Sequence, residues 1–157
     1  MSSFQIFGLD YEPFAPLFAL SDERLAAQGV RRVFADKKPG YPCRVSLIDA
    51  EIGEELLLLS YTHQSAESSP YKASGPIYVR KNAKRRIEAV GVTPECVRHR
   101  IMSVRAYDAT HAIIASEACD GSHVAQEIRR MFDDSRVQYI HLHNAKPGCF
   151  SCFVERA

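Results

Sequence analysis

No stretch of this chain approaches the roughly 18 consecutive apolar residues of a membrane span; the densest run is Leu56-Leu57-Leu58-Leu59. The N-terminus, Met1 to Asp10, lacks the basic n-region and apolar h-region of a secretory signal. An oxidised framework is excluded with it. Five cysteines in a chain without an export signal read as reduced thiols, and the expected compartment is the cytoplasm. The chain also lacks internal repeats, low-complexity tracts and linkers. Cys149-Phe-Ser-Cys152 is its only Cys-x-x-Cys, so a paired zinc-knuckle fold is missing its second half. The formal net charge is only +1.

What is present fits one domain over residues 1–157, with 46% hydrophobic and 25% charged residues. The small net charge hides an asymmetry. Nine basic residues fall between Lys72 and Arg105, opposed only by Glu88 and Glu95, while Asp49 to Glu67 carries five acids and no lysine or arginine. Such polarity serves an anion-attracting surface or a self-complementary homodimer contact, or it is neutralised where the segments meet in the fold. The Lys81 to Arg86 run has no interleaved aromatics, so it reads as a solvated face and nucleic acid is not expected.

The pattern along the chain predicts an α+β fold with a largely antiparallel sheet and a few short helices. The opening reads as helical: Asp10 caps a turn through Phe18, and Ser21 starts a short helix that Gly29 ends. Strands are expected at Val30–Ala35, Cys43–Ile48, Glu55–Thr62 and Ile77–Arg80, with a polar loop over Gln64–Pro76. Thr93-Pro94 starts a short helix, and Met102–Tyr107 and His111–Glu117 are strands. Val124, Ile128, Met131 and Phe132 share one helical face, and that helix leads into a C-terminal β-hairpin.

The hairpin, Tyr139 to Glu155, gathers most of the potential chemistry. With Asn144 to Gly148 as its loop, His143 stands opposite Cys149 and His141 opposite Ser151. The other face carries Ile140, Leu142, Phe150, Cys152 and Val154, because side chains alternate along strands. Cys149 is thus a candidate nucleophile, with His143 or His141 as its base. The same three residues, His141, His143 and Cys149, are an alternative zinc ligand set; otherwise no cofactor is expected. A thioredoxin-type role does not fit, because this Cys-x-x-Cys lies in a strand. The competing reading is an inert thiol beside structural histidines. His63, His99, His111 and His123 are also expected to be structural.

The polar loop offers a binding site of its own. In the Tyr71 to Arg80 stretch Gly75 permits close backbone approach, Ser74 offers a hydroxyl, and Lys72 and Arg80 are cationic donors. A site for a small polar or anionic molecule is expected where residues 65–80 meet the polar hairpin face, Asn144 included. The alternative is an enzyme using the Cys/His pair or the zinc set.

Four segments carry a family resemblance: Pro42 to Ala50, Ser69 to Arg80, Val104 to Asp108, and Tyr139 to Asn144 with Gly148 to Cys152. Together they resemble the uncharacterised bacterial family catalogued as domain of unknown function 1203. The resemblance implies a bacterial single-domain protein and transfers no activity.

Overall fold

In chain order the elements are β1 (Phe4–Phe7), a 3-10 helix (Ala15–Ala19), α1 (Asp22–Ala27), β2 (Arg31–Phe34), β3 (Glu55–Gln64) and β4 (Ala73–Arg80), followed by α2 (Glu95–Arg98), β5 (Ile101–Tyr107), β6 (Ile113–Asp120), a 3-10 turn (Gly121–His123), α3 (Val124–Phe132), β7 (Tyr139–Asn144) and β8 (Phe150–Arg156). The structure, a computed structural model, describes residues 2–157. The strands form two antiparallel sheets, ordered β1-β8-β7-β5-β6 and β2-β3-β4. This is the α+β architecture expected, including the C-terminal helix and hairpin.

Alternation gives the five-stranded sheet one apolar face. Met102, Val104 and Ala106 of β5, Ile140 and Leu142 of β7, and Cys152 and Val154 of β8 pack beneath Val124, Ile128, Met131 and Phe132 of α3. Fully burying an aliphatic or aromatic side chain of this size contributes about 1.5–3 kcal/mol, so this layer is the main source of stability. The start of α3 is fixed locally. Asp120 accepts hydrogen bonds from the Ser122 amide and hydroxyl at 2.9 and 2.7 Å. Gly121 lies so close to Val97 that an added Cβ would come within 1.9 Å of its carbonyl oxygen.

In the three-stranded sheet Leu56 and Leu57 are both fully buried because they face different layers. Leu57 joins Phe14, Phe18, Leu25 and Val30, and Leu56 joins Ala35 and Ala50. Ser21 accepts a hydrogen bond from the Arg24 amide at 3.2 Å and caps α1, as its position predicts.

Three local expectations are corrected. The chain opens on a strand, β1, pairing with β8, and the first helical turn begins only at Ala15. Phe4 and Ile6 are both buried in the main core, and that burial decides the conformation. Cys43–Ile48 is a chain of turns: the Leu47 amide donates to the Cys43 carbonyl at 2.9 Å, and Leu47 takes a left-handed φ of 56°. Cys43, Val45 and Leu47 are buried without forming a ladder, and Ile48 is exposed. Finally, β4 begins at Ala73, inside the segment expected to be loop. Pro76 fits within it because β4 is an edge strand, where a missing amide hydrogen is tolerated.

The charged segments meet inside the molecule. Asp49 pairs with Arg100, Glu54 with Arg80, Glu55 with Lys81 and Glu67 with Lys72. Each ion pair joins the acidic run to the basic one, so the asymmetry needs no second copy of the chain to balance it.

The hairpin register departs from the expected His143–Cys149 and His141–Ser151 pairs, by one residue at His143 and by two at His141. Ile140 pairs with Val154, His141 with Phe153 and Leu142 with Cys152, but His143 pairs with Phe150. Ser151 is the extra residue of a β-bulge. Bulges of this kind re-aim side chains. Phe150 therefore lies on the histidine face, and Ser151 is not opposite His141. Ile140, Leu142, Cys152 and Val154 keep their expected place in the core.

Candidate functional site

Two cavities share this hairpin. The first, of about 560 Å³, is lined by its loop residues Asn144, Lys146, Pro147 and Cys149 together with Gly40, Pro42 and Arg44, Leu58, Pro76 and Tyr78, and His99, Arg100 and Ile101. Arg44 is its central group. The side chain is drawn inward, and its three guanidinium nitrogens donate to the Phe150 carbonyl at 2.7 Å, the Pro42 carbonyl at 2.6 Å and the Cys149 sulfur at 3.1 Å. Arg44 is only 3% exposed and has no carboxylate partner among the described residues. A buried charge left in that state is costly unless an anion compensates it.

Asn144 reinforces the arrangement. Its side-chain amide donates to the Cys149 sulfur at 3.5 Å, while its Oδ1 is buried without a hydrogen-bond partner. Two N–H groups thus point at one half-exposed thiol. Arg100, by contrast, has its counter-ion: Nη1 lies 3.1 Å from Asp49 and also donates to the Cys96 carbonyl at 2.7 Å. Lys146 is exposed at the rim and makes no ion pair among the described residues.

The second cavity, of about 540 Å³, runs along the other part of the hairpin. Its walls are His141, Phe150, Phe153 and Glu155, the tip of β3 at Tyr61 and His63, Phe7 to Asp10, Pro13, Phe14 and Arg85. Here three imidazoles cluster: ring centroids are 4.7 Å apart for His63 and His143, 6.1 Å for His63 and His141, and 6.4 Å for His141 and His143. Phe150, moved to this face by the bulge, stacks on His63 at 5.7 Å and meets the other two edge-on. Burial pushes His141 down to about 3 and His143 to about 4 from the ordinary 6.5, and lowers His63 as well. The guanidinium of Arg105, which faces His141 across the β5–β7 ladder, acts in the same direction. All three rings are thus neutral at pH 7.

The histidines are not saturated. His143 Nδ1 sits 3.0 Å from the Gly148 carbonyl, which fixes it as the donor and leaves Nε2 with its lone pair. That Nε2, His141 Nδ1 and His63 Nδ1 are buried and unpartnered. With Asn144 Oδ1 they are the four such side-chain atoms among the described residues. Each unmet polar atom costs about 1–3 kcal/mol. As the rings stand, no three His, Cys, Asp or Glu side chains among the described residues converge to hold a metal ion.

The two cavities divide the residues read from sequence. Cys149 and Asn144 line the first and His141 lines the second, while His143 lies buried behind it. Cys149 is therefore held by Arg44, not by an imidazole. Of the 65–80 segment, Pro76 and Tyr78 reach the first cavity. Arg80 forms a two-pronged pair with Glu54 at 2.8 and 3.0 Å and donates to Ser46. Lys72 binds Glu67, Ser74 contacts Thr62 at 2.7 Å, and Tyr71 and Gly75 stand on the surface outside both cavities.

Arg44 and His63 were not picked out by sequence. An arginine among the apolar residues of Cys43–Ile48 was the available signal for the first. His63 gave none, because its meeting with the hairpin is a contact between two sheets.

Fold and site together define a two-sheet α+β protein whose C-terminal hairpin joins an arginine–thiol cavity to an imidazole-lined cleft. The chain belongs to the family described as protein of unknown function (DUF1203), whose model matches residues 40–156 and so includes Arg44, His63 and both hairpin strands. No curated protein and no solved structure matches the chain. Among the described residues, no helix is long and apolar enough to cross a membrane.

Proposed function

We propose that this protein binds a small anionic molecule, a carboxylate or phosphate, in the Arg44–Cys149 cavity, in the reducing cytoplasm of a bacterium. The observation that carries the reading is the buried Arg44 guanidinium without a carboxylate partner. A bound anion within reach of Arg44, Lys146 and the second N–H of the Asn144 amide would compensate it. The cysteines fit the same setting, since all five are free. The test is a thermal-shift screen of small carboxylates and phosphates at low and moderate salt, repeated on Lys146→Ala and Asn144→Ala. A saturable rise in Tm for a subset of anions, weakened in both variants, supports the site. Equal stabilisation by every anion, unchanged in the variants, defeats it.

A second reading is favoured by one contact. Arg44 Nη2 lies 3.1 Å from the Cys149 sulfur, so the counter-charge can be a thiolate, and the protein would then be an enzyme with Cys149 as nucleophile. Arg44 would stabilise the sulfur, and substrate would enter beside Tyr78 and Lys146. The two readings separate on Cys149→Ser: a binding protein keeps its anion response, whereas the enzyme loses turnover and native thiol reactivity together.

A further inference from the structure

We infer that the second cavity is a binding site for a neutral, flat ring bearing hydroxyl groups, a phenol-type molecule, which the His63 and His141 imidazoles hold between aromatic walls. The site is separate from the Arg44–Cys149 cavity and stands or falls independently of it. Three observations carry the assignment.

The first is hydrogen-bonding capacity left open inside the protein. His141 is only 3% exposed and lines the cavity, yet neither of its ring nitrogens bonds to any described residue. The same holds for the half-buried His63 at the end of β3. In both rings Nδ1 is wholly buried, while Nε2 keeps access to the cavity. Polar groups buried to this degree call for a partner. In a neutral imidazole one nitrogen donates and the other accepts, and the tautomer follows the partner. A hydroxyl both donates and accepts, so it pairs with Nε2 in either tautomer.

The second is the shape of the walls. Phe14, Tyr61, Phe150 and Phe153 give the cavity flat aromatic surfaces. Phe150 stacks on His63 at 5.7 Å with the planes 6° apart, and Tyr61 stands 6.0 Å from Phe150 and 6.4 Å from Phe14. Such rings pack best against another ring, stacked or edge-on at about 4.5–7 Å. The volume of about 540 Å³ lies within the range of small-molecule sites, about 300–1,000 Å³. A flat ring covers the walls, and its hydroxyls reach the imidazoles.

The third is charge. Burial lowers both imidazoles, so they are neutral at pH 7. Arg85 is turned to the backbone, donating to the Gly8 carbonyl at 2.9 Å, and its guanidinium lies over Phe7 at 5.9 Å. Asp10 and Glu155 stand exposed at the rim and make no ion pair among the described residues. These two carboxylates oppose an anion, and Arg105, facing His141 across the β5–β7 ladder, opposes a cation. Anions therefore belong to the first cavity and a neutral molecule to this one.

Calorimetric titration with resorcinol tests the site against two relatives of that probe. Its dimethyl ether keeps the flat ring and loses the hydroxyl donors, and the corresponding cyclohexane diol keeps the hydroxyls and loses the flat ring. The expected result is saturation by resorcinol at one molecule per chain, with both relatives at least tenfold weaker. The ring nitrogens of His63 and His141 should shift in NMR spectra as resorcinol binds. His63→Phe keeps a ring to stack on Phe150 and removes the nitrogens, so it should weaken resorcinol at least tenfold and leave the ether as it was. Cys149→Ser should leave the titration unchanged. Absence of saturable resorcinol binding overturns the site. Equal affinity for resorcinol and its ether also overturns it, and that comparison on the parent protein decides the matter if His63→Phe does not fold. Loss of binding in Cys149→Ser would put the molecule in the other cavity and overturns it equally.

Discussion

At the scale of single residues, the histidines make the clearest prediction. Unfolded imidazoles titrate near 6.5, while folded His141 and His143 titrate near 3 and 4. The unfolded chain therefore binds more protons between these values, and stability falls as pH falls. The contribution is complete above pH 6.5 and is lost progressively down to about pH 4 and 3, by up to about 1.4 kcal/mol per pH unit and histidine. Urea midpoints of metal-free protein at pH 7.5, 6 and 5 should drop steadily. A His141→Gln variant should show a shallower slope, and parallel slopes would refute the assignment.

Thiol labelling divides the cysteines at the same scale. Cys96 and Cys152 are buried and their thiols pushed up, Cys96 to about 12. Cys43 is fully buried. Burial, and after it the carboxylates of Glu127, Glu117 and Asp120, push the half-buried Cys119 thiol up. Cys149 has Arg44 and Asn144 on its sulfur instead. One equivalent of iodoacetamide should therefore modify Cys149 first in native protein, by mass spectrometry of the digest. Cys152→Ser should cost about 1–3 kcal/mol by placing a hydroxyl in the core, and Cys149→Ser much less.

At the scale of elements, close backbone approaches and the bulge decide where side chains go. Gly8 sits where a Cβ would come within 2.0 Å of the Val45 carbonyl oxygen, and Gly121 within 1.9 Å of the Val97 carbonyl oxygen. Neither neighbour is a flexible side-chain end, so Gly8→Ala and Gly121→Ala should each cost about 1–3 kcal/mol or more in denaturant unfolding. Gly75, with open space around it, should accept alanine at little cost. The bulge at Ser151 acts on the site directly. It turns Phe150 from the core to the imidazoles and leaves its carbonyl as an acceptor for Arg44.

At the scale of the whole molecule, the acidic and basic runs hold the sheets and loops together. Arg80 and Glu54 have side chains only 21% and 26% exposed, and their geometry is two-pronged. Arg80→Met should therefore cost about 1–2 kcal/mol of stability, read as a shift in urea midpoint. Its anion response, normalised to its own Tm, should match the parent protein. A selective loss of that response would return Arg80 to the binding site.

The sequence by itself determined what depends on near neighbours. The amphipathic face of α3, the Ser21 cap, the hairpin and the core positions of Ile140, Leu142, Cys152 and Val154 follow from period and turn chemistry, which act over a few residues. The gathering of Asn144, Cys149 and the two hairpin histidines beside an apolar face was also legible, because side chains alternate along strands. Only the tertiary structure decided which of them meet. A one-residue bulge changed what faced the histidines, and an arginine from a turn 105 residues away took the place of an imidazole beside Cys149. His63 joined His141 and His143 by contact between sheets. Such pairings are set by register and by how layers pack. Both depend on the energy of the whole core, and no local pattern in the chain encodes them.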